Sequence, residues 1–182
     1  MPADEKPKPI PGSVGTFHIF GVPVRLHFTF ILLLVFLLFI GIGEKQSGLS
    51  TVLYVLALFA SVLLHELGHA LVARSHGIGT TEIVMFPIGG VSRPERAMKA
   101  REELWIALAG PLVNFLIAGA LLGWMAAQKG IVAFEQLRQP TDANLVERIA
   151  LGNLILGVFN LLPAYPMDGG RVLRSLLALR MP

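Results

Sequence analysis

The stretch LSTVLYVLALFASVLLHELGHALVARS, residues 49–75, is apolar, and its second half holds His65, Glu66 and His69. At 1.5 Å per residue such a helix reaches ~40 Å, against a hydrocarbon core about 30 Å thick. Ionisable groups at the centre of a membrane helix cost about 2.5–3.5 kcal/mol each, so their presence there points to a function. The bilayer reading agrees with composition. The 182 residues suit one domain, yet 54% are hydrophobic and only 15% charged, where a soluble domain carries about 25% charged residues. There is no cysteine, which excludes disulfides and thiolate metal sites. The net charge of +3 and high pI do not indicate nucleic acid, because the basic residues follow membrane topology.

Residues 1–15 read as a flexible tail, and 16–182 as one core. TFHIFGVPVRLHF, at 16–28, is aromatic and β-branched and is broken by Gly21 and Pro23. It predicts a strand or bent pair at the membrane surface. Four apolar segments follow, at 26–43, 49–75, 104–127 and 149–162; the first reads as a retained span, not a cleaved leader. The last is about 21 Å long as a helix, so it does not cross alone. PAYPMDGG then carries the chain onward without regular helix. The expected fold class is an all-α membrane protein: a polytopic helix bundle of about four segments, the fourth broken, with a small β hairpin at the cytoplasmic face. The hairpin is expected within TTEIVMFPIGGVSR, with TTEIVMFPIGG offering a free strand edge to an extended peptide. Gly119 and Gly123 form a GxxxG pair that suits close helix packing. Lys6, Lys8, Arg25, Arg74, Arg93, Arg96, Lys99, Arg101, Arg171, Arg174 and Arg180 fall on one side. Lys45, Lys129, Arg138 and Arg148 fall on the other. This asymmetry makes the first side cytoplasmic, with both termini.

His65 and His69, four apart on a helix, lie about 40° apart around its axis, so both imidazoles reach one ion. Glu66 can then address a water on that ion. Two imidazoles and a carboxylate suit Zn2+, one per chain. Asp168 is the expected third ligand, on unwound backbone at membrane depth. His76 lies too far along the axis and reads as interfacial, as do His18 and His27. Glu82 reaches the ion only if the hairpin folds back.

HELGH at 65–69 and NLLPAYPMDGG at 160–170 resemble the two signatures of the site-2 protease family of intramembrane zinc metalloproteases. GGVSRPE and AGPLVNF are similar to its intervening segments. FGVPVRLHF resembles the start of the branch whose members continue into CBS domains; residues 1–182 contain none. The resemblance spans residues 16–180. It implies His65, His69 and Asp168 as zinc ligands, Glu66 as catalytic glutamate, and Asn160 as a substrate or oxyanion-binding residue. The implied reaction is peptide hydrolysis in a transmembrane or membrane-tethered protein substrate, within a lipid bilayer and without nucleic acid. A zinc transporter or a zinc-binding pseudoprotease is the alternative. A transporter favours ligands strung along a path, whereas one compact site and a well-placed Glu66 favour the protease.

Overall fold

The computed structural model describes residues 11–43, 48–86, 89–128 and 144–181. Its elements run β1 (Ser13–Ile19), β2 (Val22–His27), α1 (Phe28–Gly43), α2 (Gly48–Ser75), β3 (Thr80–Phe86), β4 (Gly89–Pro94), α3 (Ala100–Gln128), α4 (Leu145–Asn160) and α5 (Asp168–Arg180). The chain is mostly helical, with one small sheet. Among the described residues two helices, Ser50–Ser75 and Ala100–Gln128, are long and apolar enough to cross a membrane. Large apolar side chains stay exposed along the helices, among them Phe36, Leu56, Leu116, Trp124 and Ile155. That exterior suits lipid better than water.

The strand or bent pair at 16–28 and the later hairpin, expected separately, are joined in one sheet. The sheet order is β1-β2-β3-β4, antiparallel within each hairpin and parallel between β2 and β3, with Val24 opposite Ile83 and Leu26 opposite Met85. β3 is therefore an inner strand, and its run Ile83, Val84 and Met85 is fully buried, as befits a strand covered on both faces. This corrects the free edge expected at TTEIVMFPIGG for its first strand: β3 pairs with β4 on one side and, over Ile83–Met85, with β2 on the other, and the sheet's edges are β1 and β4. Val22, Val24, Ile83 and Met85 pack on Leu67 and Ala70 of α2, the residues that follow Glu66 and His69. The sheet thus braces the turn of α2 that carries the histidines.

α2 ends where its backbone is closed. The N–H of Gly77 donates to Arg74 O at 2.9 Å and that of Ile78 to Ala73 O at 3.0 Å. Gly77 has φ of +68°, a left-handed conformation glycine adopts without strain. Ile78 packs back on Ala73 and on Ile106 of α3, so the start of α3 lies against the end of α2.

Two further expectations change. Asp168 is not on unwound backbone: the irregular segment ends at Met167, and Asp168 is the first residue of α5. Gly169 and Gly170 look like helix breakers in sequence. Here they let α5 start against the preceding turn, where a Cβ on Gly169 would overlap the Leu161 and Leu162 carbonyls. Nor do Gly119 and Gly123 form a packing face among the described residues, none of which a Cβ at either would meet within 4 Å. The close approach of α2 and α3 is at Gly68, where a Cβ would lie 2.8 Å from Val113.

Candidate metal centre

His65 stands ten residues before the end of α2 at Ser75, ~15 Å along the axis. There α2, α3 and α5 converge. Asp168 Oδ2 is 3.1 Å from His65 Nε2 and 3.1 Å from His69 Nε2, and the two Nε2 atoms are 3.1 Å apart. All three residues are buried. α5 presents Asp168 from its first turn, where the positive end of the helix dipole favours a carboxylate.

The donor set has the chemistry of a cation site. His69 Nδ1 is 2.6 Å from Ile106 O, which only accepts, so Nδ1 is the protonated nitrogen of that imidazole. His65 Nδ1 lies 2.6 Å from Asn114 Oδ1. Neutral imidazoles in these hydrogen bonds turn two lone pairs and a carboxylate oxygen toward one point. A tetrahedral zinc with bonds of 2.0–2.1 Å spaces its ligand atoms by about 3.3 Å, close to the triangle found here. His65, His69 and Asp168 form the one group of three such ligands found among the described residues.

Room for this triangle depends on Gly110 of α3: a Cβ there would overlap both imidazoles. Asp168 is held from behind by Arg171, whose Nη1 donates to Oδ1 at 3.3 Å and leaves Oδ2 to the histidines. Arg171 and Arg174 both pair with the buried Glu103 in the first turn of α3, which docks α5 on α3.

Glu66 lines the same cavity, of about 810 Å³, and packs against β4, where a Cβ on Gly90 would overlap its side chain. The cavity reaches the surface beside Tyr165 and Arg174, which are both well exposed. Asn160 also lines it, with Nδ2 donating to Leu156 O at 3.0 Å. The other sequence candidates lie elsewhere. His76 is exposed and borders a separate apolar groove with Trp105 and Phe115. His18 is exposed on β1. His27 stacks on Phe86, with centroids 4.6 Å apart. Glu82 is buried in the sheet, 3.5 Å from Arg25 Nε. Sequence reasoning did not single out Gly110, Glu103, Arg171 or Asn114 as parts of the site. A glutamate and an asparagine in apolar helices were the available signal.

Fold and site together define a helical protein with a two-histidine, one-carboxylate cluster and an adjacent glutamate at a surface-connected cavity. The family model for peptidase family M50 matches residues 53–145 and 130–181, and the chain belongs to that family. It is 44% identical over 171 residues to a zinc metalloprotease of Methanocaldococcus jannaschii, covering 91% of this chain and 46% of that protein. It is 30% identical over 129 residues to the stage IV sporulation protein FB of Bacillus subtilis, covering 70% of this chain and 41% of that protein. The chain thus spans less than half the length of these curated relatives. The solved site-2 protease from Methanocaldococcus jannaschii matches with a TM-score of 0.68 and 40% identity, over 93% of this chain and 73% of that one.

Proposed function

We propose that residues 16–182 are the catalytic core of an intramembrane zinc metalloprotease that hydrolyses peptide bonds in or near transmembrane segments of other proteins. The observation that carries this is the convergence of His65, His69 and Asp168 beside Glu66, in a cavity open to the surface. His65, His69 and Asp168 would hold one zinc. When bound, zinc supplies a Lewis acid that acidifies water and polarises a carbonyl. Glu66 is the general base: it takes the proton of the attacking water and returns it to the leaving amine. Asn160 keeps one amide N–H on Leu156 O and turns the other to the oxyanion. An extended substrate strand adds to the edge strand β4, whose Gly90 lies against Glu66. Among the described residues no second ligand group follows the first, which favours a hydrolase over a transporter.

The experiment is cleavage of a panel of membrane-span peptides by the intact chain and by Glu66→Gln. The variant keeps its zinc and loses at least about 10²-fold in rate; near-normal turnover removes Glu66 from the mechanism. For topology, we infer four membrane segments, α1 to α4, with 161–167 completing the short fourth and both termini cytoplasmic. The eleven-to-four basic asymmetry supports it. A cysteine at Gly48 labels from outside and one at Arg96 from the cytoplasm; the reverse pattern refutes the orientation.

A further inference from the structure

Behind His65 runs a chain of buried side chains that the reaction does not use. Asn153 of α4 donates through Nδ2 to Ile149 O at 2.9 Å and to Ser61 Oγ at 3.0 Å. Ser61 donates its only proton to Ala57 O at 2.9 Å, so it accepts from Asn153. Asn114 of α3 donates through Nδ2 to Asn153 Oδ1 at 3.0 Å, and its Oδ1 lies 2.6 Å from His65 Nδ1. Both asparagines are wholly inaccessible to solvent.

The direction of this chain is fixed at its far end. A backbone carbonyl only accepts, so Ile149 O and Ala57 O together oblige Asn153 to turn its NH₂ toward them. Its Oδ1 then faces Asn114. Asn114 must answer with its NH₂, which leaves its Oδ1 for His65. An oxygen there obliges His65 to carry its proton on Nδ1, so the lone pair of Nε2 faces His69 and Asp168. Were Asn114 to rotate its amide by 180°, its NH₂ would meet Nδ1, and the proton of a neutral His65 would move to Nε2. His69 needs no such chain, because Ile106 O fixes its Nδ1 directly.

We infer that Asn153, which neither touches the metal group nor itself lines the cavity, is a positioning residue that sets the metal-binding tautomer of His65 through Asn114. Ser61 and Ile149 O are its anchors. This rests on the reading of His65, His69 and Asp168 as a metal site. Outer hydrogen-bond partners of a ligating histidine are worth about 10- to 100-fold in metal affinity. The distinctive element here is that the constraint originates on α4, which supplies no ligand.

The test measures zinc affinity of the purified chain in lipid nanodiscs, stripped of metal and titrated with zinc against a fluorescent chelator. Asn153→Leu keeps the bulk and removes the polarity, and it should weaken zinc binding about 10- to 100-fold. Asn153→Asp, protonated in this apolar setting, can donate to Ile149 O and accept from Asn114, and should stay within about threefold of the original. Wild-type affinity in Asn153→Leu, or an equal loss in both variants, overturns the inference. If the leucine variant does not fold, a tenfold or greater loss in Asn153→Asp overturns it alone. Failure of the original chain to bind zinc defeats the metal-site reading first, which separates the two outcomes.

Discussion

The two halves of α3 teach different lessons about small and polar residues in an apolar helix. In residues 100–114, each polar or small residue the site uses meets a specific neighbour. Glu103 takes Arg171 and Arg174, Ile106 O takes His69, Gly110 makes room for two imidazoles, and Asn114 meets His65 and Asn153. In residues 115–128 the helix is plainer. None of these residues lines the metal cavity; Leu116 and Trp124 are exposed, Ala118 and Met125 are buried, and a Cβ on Gly119 or Gly123 meets no described residue within 4 Å. The first half is a wall of the site, and the second lies outside it. A glycine pair at helix-packing spacing falls in the wrong half, while the glycine that matters stands alone. Spacing reports which residues share a helix face, but not what lies opposite them.

Two substitutions of the same kind sharpen this contrast. Gly110→Ala should have the larger effect. Its methyl group overlaps both imidazoles, and overpacking of this kind costs about 1–3 kcal/mol, so zinc affinity should fall about 10- to 100-fold. Gly119→Ala should have the smallest effect. Its methyl group meets nothing within 4 Å, and alanine in a helix is favoured over glycine by at most ~1 kcal/mol. Zinc affinity should be unchanged and thermal stability equal or slightly raised. Equal damage from both substitutions would show that the halves do not differ as described.

The helices and the residues that cluster at the candidate metal centre were legible because each carries a local signal. Apolar runs placed α1, α2, α3 and α4 to within a few residues of their ends. His65, Glu66, His69 and Asp168 stood out because such groups are costly in apolar surroundings. What was not legible depends on distant partners. Parallel pairing of Val24 with Ile83 joins segments 59 residues apart, and neither hairpin's sequence announces it. That pairing turned the expected free edge at Thr80–Phe86 into an inner strand. Likewise the start of α5, Asp168 to Gly170, reads as irregular from its two glycines, yet it is helical, with both glycines packed close to the Leu161, Leu162 and Ala164 carbonyls. Asn114 and Asn153 were visible as asparagines within apolar segments, but their hydrogen-bonded order emerges only when α2, α3 and α4 are together.

The central claim is that α2 and α5 together build a metal site, with Glu66 beside it and not part of it. Zinc content per chain, measured on the purified protein and three variants, tests this most directly. The original chain and Glu66→Gln should each carry about one zinc, as one three-ligand set requires. His65→Ala and His69→Ala should lose it while the chain remains helical by circular dichroism. Zinc content unchanged in both histidine variants, or lost in Glu66→Gln, would contradict the account.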